Sequence, residues 1–411
     1  MKYGGAEAQG VGAHGNAGAR DADALWRRGC AAASKRVVVL RRAAALRQAV
    51  LRRRLASCRT LYIREGIMEE IEQQIQHWNE ERRESNTVSY RMTHSPERCV
   101  KCGLCIAFCP CDVLEEDENG YPVAAHPELC VGCTTCAGNC PTRSLTIDAL
   151  GDASFDATFA NEPRAEQISN DLHQQYAEWQ RICMEKLDLR WQPVAVSLID
   201  KDELLPDAPL PAENLRFCQA MMAARRGASI LMPPFKHSCP DGTSIFGMTG
   251  VPEKLATGEI YVLFHKLVNA EAAAQMVRER PTLPAHSKRA TYVAPLNKTV
   301  REPEVVVFTG TPEHMMWLCM SMAYYTGHRF DFKASGYNSM CVEAVLYPWL
   351  EQQPNITFGC YGCRAATDLG EDMMFMGVPV SAMPTIVKGL TELAKKSIPD
   401  SRNKIYVPPI M

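Results

Sequence analysis

Two twelve-residue runs of this chain, CVKCGLCIAFCP from Cys99 and CVGCTTCAGNCP from Cys130, match at all four cysteines, the first valine and the final proline. Each copy has the spacing C-x2-C-x2-C-x3-C-P, and the chemistry requires that spacing. Three cysteines in a tight loop present three thiolates to one face of a cubane, while the fourth, on the helix that follows, crosses to the neighbouring cluster. The repeat therefore predicts two [4Fe–4S] clusters, one on Cys99, Cys102, Cys105 and Cys140 and the other on Cys130, Cys133, Cys136 and Cys109. Pro110 and Pro141 turn the chain away after each fourth ligand. Between the halves, Asn119-Gly120 predicts a turn beside a short strand. A zinc reading of C-x2-C…C-x2-C leaves the doubled four-cysteine pattern and its closing prolines without a reason. Cys111 falls outside the spacing and reads as a spare thiol.

Around this module the chain is long enough, at 411 residues, to build further cores. Its net charge of −2 conceals an asymmetry. Residues 1–64 carry fourteen Lys/Arg against three Asp/Glu, a net of +11, and the remainder carries 31 against 44, a net of −13. An acidic body argues against nucleic acid as a partner. No apolar run reaches the eighteen or so residues of a membrane span. Eighteen cysteines, eight of them in a cluster-binding pattern, suit a reducing cytoplasm rather than a disulfide framework.

Residues 1–67 form a basic, Gly/Ala-rich arm that cannot build a core, predicted as disordered, or as a basic amphipathic helix over VVVLRRAAALRQAVLRRRL. The plainer reading is an arm without function or upstream sequence in translation. At Met68 begins a lead-in helix, residues 68–94, with Ile71, Ile75 and Trp78 on one face, so a start at Met68 would give a self-consistent domain entry. Neither Arg27-Arg28 nor LASC at 55–58 is followed or preceded by the apolar stretch that an export signal needs.

The cluster module takes residues 95–150, and the polar stretch 151–164 reads as a linker. Residues 165–411 alternate apolar strands and helices and predict a second domain of some 240 residues, α/β or α+β. Ile168, Leu172, Tyr176, Trp179 and Cys183 recur at helical spacing; PVAVSLI, EVVVFTG, ITFG and MMFMGVPV read as strands; TPEHMMWLCMSMAYYTG and MPTIVKGLTELAKK read as helices. The whole chain is expected to be α+β. It contains no G-x-G-x-x-G after a strand, no G-x-x-x-x-G-K-[ST], no H-E-x-x-H and no nucleophile elbow, so no nucleotide cofactor is predicted.

The repeat resembles the bacterial two-cluster ferredoxins across roughly Ser95 to Asp148, and that resemblance implies a β-α-β-β-α-β-like fold around clusters that pass electrons one at a time. Further on, PAENLRFCQAMMAARRG (211–227), HSCPDGTSIFG (237–247), EPEVVVFTGTPEHM (302–315) and FGCYGCR (358–364) resemble, in that order, the family catalogued as domain of unknown function 169, across roughly Ala165 to Pro408. Membership implies no particular reaction, but a ferredoxin module in front of it implies a redox setting.

Three of those segments carry cysteine: Cys218 in a helix, Cys239 in a Pro/Gly loop, and the C-x-x-C pair Cys360 and Cys363 in a loop after a strand. They are the candidate catalytic residues, and with His237 and Arg364 beside them they form a candidate site for an additional metal or cluster. Against this stands the tendency of free cysteine to be buried as a small apolar side chain, the default reading for Cys183, Cys319 and Cys341. Met315, Met316, Met320, Met322, Met373, Met374 and Met376 read as core filling, His314 and His265 as satisfied polar residues, and Arg225-Arg226 as either an anion contact or a solvated helix end. The expectation is an iron–sulfur redox protein, an oxidoreductase component, whose clusters relay electrons to or from a C-terminal domain that binds a small substrate or cofactor, with a redox partner protein. The alternatives are a non-catalytic electron-transfer or docking subunit for an oxidoreductase, and a metal or cluster carrier.

Overall fold

The computed structural model describes residues 89–150, 161–264 and 266–396, with Ile75, Gln76 and Glu80 before them. The basic arm, most of the lead-in helix, the greater part of the linker and His265 lie outside the described residues. Where that helix is expected to run on to residue 94, Tyr90–His94 is instead a strand, because its backbone pairs with Leu145–Ala149. Helix and strand are mixed throughout and the class is α+β. Among the described residues no helix is long and apolar enough to cross a membrane.

The first unit runs β1 (Tyr90–His94), α1 (Leu104–Ala107), β2 (Leu114–Glu116), β3 (Pro122–Ala124), α2 (Thr135–Gly138) and β4 (Leu145–Ala149). β1 pairs antiparallel with β4, and β2 with β3 across the Asn119-Gly120 turn. The sequence repeat reappears in the backbone. Lys101 and Gly103 in one copy, Gly132 and Thr134 in the other, all hold positive φ at equivalent positions. Asp112 and Arg143, each three residues past the fourth cysteine, repeat the match. These left-handed residues bend the cysteine loops sharply enough for three thiols of one loop to face the same way.

The second unit is built on six strands in the order β6-β7-β5-β8-β10-β9. In chain order come α3 (Asn170–Leu187), β5 (Val194–Asp200), α4 (Phe217–Ala224), β6 (Ile230–Met232), α5 (Pro240–Ile245), α6 (Glu253–Ala256), α7 (Glu259–Leu263), α8 (Ala270–Glu279), β7 (Lys288–Pro295), β8 (Val305–Gly310) and α9 (Pro312–Ala323). A π-helix (Cys341–Leu346), α10 (Tyr347–Glu351), β9 (Asn355–Thr357), α11 (Tyr361–Ala366), β10 (Met374–Pro379) and α12 (Met383–Lys396) complete it. Every ladder of this sheet is antiparallel, which settles the α/β or α+β alternative in favour of α+β.

Both faces of the sheet are covered, which is why β5, β8 and β10 read as unbroken apolar runs. Val194, Val196 and Leu198 point into one core with α4, Phe246 of the segment after α5, and the π-helix. Ala195, Val306, Phe308, Met374 and Met376 point into the other, against α3, α9 and α12. Met315 and Met322 are buried there, while Met316 and Met320 lie on the exposed side of α9. Thr311 caps α9 by accepting from the His314 amide, and His314 Nδ1 accepts from the Thr311 amide at 3.1 Å. Ile75 packs on a third core with Val251, Ile260 and Tyr261.

Candidate functional site

The eight repeat cysteines fall around two concavities. One is lined by Cys99, Cys102, Cys105 and Cys140; the other by Cys109, Cys130, Cys133 and Cys136. Each wall therefore mixes three cysteines of one copy with the fourth of the other. Cys111 lines the second concavity as well and is buried. Backbone amides point at the sulfurs: Lys101 N donates to Cys99 Sγ at 3.4 Å, Val113 N to Cys109 Sγ at 3.4 Å and Ser144 N to Cys140 Sγ at 3.2 Å. Burial pushes the Cys105 and Cys136 thiols up to about 12 and raises Cys109 as well. At Cys140 burial is outweighed by hydrogen bonds from Ser144 and Thr142, which bring the thiol down to about 7. A cluster fits such walls, because coordination to iron deprotonates a thiol that burial alone would keep neutral.

A second group of thiols lies in the C-terminal unit, on the face of the sheet that carries α4. Cys360 caps α11 and its thiol donates to Cys363 Sγ at 3.4 Å, while the Cys363 amide donates back to Cys360 Sγ at 3.3 Å. Cys363 in turn hydrogen-bonds Cys218 on α4. Cys239, immediately before α5, and Cys341, at the head of the π-helix, flank Gly242: a Cβ built on that glycine would sit 3.8 Å from one sulfur and 3.6 Å from the other. Cys341 is close enough to Cys239, Cys363 and Cys360 for their charges to raise its thiol, after burial as the main cause.

All four candidate cysteines thus belong to one nest, and Cys341 is its fifth member. Its helical, apolar surroundings had suggested core packing, and the spacing of a lone cysteine carries no sign of partners more than a hundred residues earlier. The C-x-x-C pair also differs from a loop: Cys363 is inside the first turn of a helix. Cys183, by contrast, is fully buried in the opposite core and raised to about 12 by burial alone, the packing role expected of it. Among the described residues no three His, Cys, Asp or Glu side chains converge on one metal ion.

Two buried polar groups hold this nest in place. Glu343, fully buried on the π-helix, accepts from the Ser335 amide and hydroxyl at 2.7 Å each and from Thr357 Oγ1 at 2.5 Å. Thr357 Oγ1 then accepts from the Gly359 amide at 3.0 Å, which tethers the strand end leading into Cys360. Burial raises the Glu343 carboxyl. On the other side Asp241, next but one to Cys239, accepts from Tyr261 Oη and Arg280 Nη1 at 2.9 Å each. Arg280 is 3% exposed. Arg280→Met should therefore lower stability by about 3 kcal/mol or more, because a partly buried carboxylate loses its counter-charge; a fall in the urea midpoint of the anaerobic protein is the measurement.

His237 is buried, and burial lowers it to about 3, so it stays neutral; its Nε2 lies 3.1 Å from Thr291 Oγ1 rather than at the nest. Arg364 donates to the carbonyls of Phe358, Gly370 and Met373 and so braces the C-x-x-C segment. Arg225 and Arg226 do not form an open anion site: both pair with Asp368, and Arg225, fully buried, stacks over Trp191 at 4.2 Å.

The two groups of cysteines meet at Arg216, the residue capping α4. Its Nη2 donates to the Cys133 carbonyl at 2.9 Å, and its Nη1 lies beside Gly362, where a Cβ would stand 3.5 Å from it and 3.6 Å from Cys360 Sγ. The same guanidinium partly offsets the rise of Cys239, which burial carries to about 12. Nearby, Lys254 on α6 pairs with Asp112 at 2.5 Å and donates to the Cys109 carbonyl at 3.0 Å. The rings of Phe108 and Phe264 pack at a tilt with centroids 5.1 Å apart. Arg216 and Lys254 escaped the sequence reading. For Arg216 a signal existed, a cation two residues before Cys218, but only the fold reveals which sulfurs it reaches.

Residues 92–115 match the model for a 4Fe-4S binding domain, so the first unit has the capacity for iron–sulfur electron transfer. Residues 183–389 match the model for domain of unknown function 169, described as "Uncharacterised ArCR". "Uncharacterized protein MJ0308" of Methanocaldococcus jannaschii is 31% identical over 210 residues, which cover 50% of this chain and 90% of that protein. No solved structure matches the chain at a significant level. The iron–sulfur module is thus joined to a unit that places the chain in the domain of unknown function 169 family.

Proposed function

We propose that this chain carries two [4Fe–4S] clusters, on Cys99, Cys102, Cys105 and Cys140 and on Cys109, Cys130, Cys133 and Cys136, and relays electrons between them and a thiol site in the C-terminal domain. The observation that carries the reading is Arg216. One guanidinium touches the backbone of a second-set cysteine and borders the C-x-x-C pair, so the end of the wire and the nest share a residue. The domain organisation that goes with it is a module that opens at β1 and runs to residue 150, a connection over 151–164, and a redox-linked domain over 165–411 that takes a small substrate or cofactor at the nest. Cys218, Cys239, Cys360 and Cys363, with Cys341, are its working residues. A cluster-ligand pattern of cysteines suits a reducing cytoplasm, and a one-electron module calls for a redox partner protein to load it.

Cluster potentials depend on nearby charge and hydrogen bonding, and this gives the test. A cation beside a cluster favours its more negative, reduced form. Arg216→Met should leave the iron content unchanged and lower the potential of one cluster of the two, read by EPR during a redox titration of the anaerobic full chain. Potentials identical to those of the wild type would remove the second set from the neighbourhood of the nest and sink the relay.

A further inference from the structure

We propose that Cys360 and Cys363 form a redox-active dithiol/disulfide couple, the two-electron centre that exchanges electrons with the iron–sulfur module; this rests on the relay reading above. The pair is positioned for it. Its sulfurs are 3.4 Å apart, so reaching the 2.05 Å of a disulfide takes roughly 1.4 Å of approach, within reach of a side-chain adjustment. Cys360 is extended in its backbone while Cys363 is already helical, the arrangement that aims both thiols to the same side of the first turn. The hydrogen bond to Cys363 and burial raise the Cys360 thiol, and Cys363 is raised as well. Lys266 opposes the rise at Cys360 in part, and Arg216 lies beside Gly362, so these two cations are the local charge that favours the thiolate that exchange chemistry needs. Cys360 is itself partly exposed, between the exposed Phe358 and Tyr361, while Cys363 is buried behind it. Cys218 and Cys363 also fill the apolar core on this face. But where Cys183 in the opposite core is influenced by burial alone, Cys363 has two sulfur partners within hydrogen-bond reach, which packing does not require.

The balance is simple. In the reducing direction the S–S bond between Cys360 and Cys363 breaks, two electrons arrive from two one-electron iron–sulfur donors, and two protons come from solvent to give two thiols. In the oxidising direction the same electrons and protons leave. A dithiol thereby converts one-electron traffic into a two-electron step, and two clusters match its stoichiometry. Cys218, hydrogen-bonded to Cys363, is the buried neighbour that holds the second sulfur in line.

The test uses the full chain, equilibrated anaerobically in glutathione buffers of graded potential, quenched in acid, alkylated and mapped by mass spectrometry. The peptide carrying Cys360 and Cys363 should lose both alkyl groups together, with a two-electron slope. Cys360→Ser should abolish the transition, and Cys218→Ala should keep it at a shifted midpoint. Iron and sulfide per chain should equal wild type in both variants. A pair that stays alkylated at every potential overturns the proposal, and so does a Cys360→Ser variant that loses iron, since the nest would then hold metal. The relay reading fails separately, through the cluster potentials of Arg216→Met, and that outcome leaves the thiol titration intact.

Discussion

Replacing Cys130 and Cys133 together by serine should halve the iron of the anaerobically purified chain, from about eight atoms to about four. Both residues line the concavity shared with Cys109 and Cys136, and neither lines the one around Cys99, Cys102, Cys105 and Cys140. The surviving cluster should keep its own EPR signal, because its ligand walls are untouched. Cys102→Ser combined with Cys105→Ser should give the complementary loss. The two double variants must differ in a further respect. Only the first removes a cluster beside Arg216 and Lys254, so only that variant should cut electron exchange with the C-terminal thiols. Loss of all iron from either variant would mean that the sets are not independent, and equal loss of exchange from both would mean that the second set is not the exit.

Gly377→Val should be among the most damaging single changes, at about 3–5 kcal/mol. Gly377 sits in the middle of β10, between β8 and β9. A Cβ there would stand 1.9 Å from the carbonyl oxygen of Ala344 and 2.9 Å from the ring of Pro348. Both are backbone or ring atoms that cannot swing aside, and Ala344 belongs to the π-helix that carries Cys341 and Glu343. The strand must therefore separate from the helix, or the helix must shift and drag Glu343 from Thr357. Thermal unfolding of the apo and cluster-loaded protein should show a lower midpoint in both, and a variant with unchanged melting would mean that the packing here is loose.

The difference between what was legible and what was not follows range of contact. The cysteine spacing is a local code: thiols three residues apart on one loop reach one cubane wherever the rest of the chain goes. The repeat could therefore be read without any fold, and so could the elements whose apolar periods are set by their own neighbours, α3, β5, β8, α9, β10 and α12. The family resemblance of the C-terminal segments was likewise visible in the order of their motifs, and the match over 183–389 bears it out.

Other features depended on contacts that no local pattern encodes. Cys341 looked like an apolar helix residue, yet a π-turn and the packing of α5 bring it to Cys239 across a hundred residues. Arg225-Arg226 looked like either an anion contact or a solvated helix end, yet Trp191 and Asp368 close over Arg225, while Arg226 stays exposed and pairs with the same Asp368. Four of the six strands, β5, β8, β9 and β10, were legible as apolar runs while β6 and β7 were not. Only the antiparallel ladders decide between α/β and α+β, because burial on both faces erases the alternation that would tell them apart. By itself the sequence determined the iron–sulfur module, since its chemistry is local. The tertiary structure alone decided that five separated thiols share one nest and that Arg216 joins it to the module, because burial and long-range contact are properties of the folded chain.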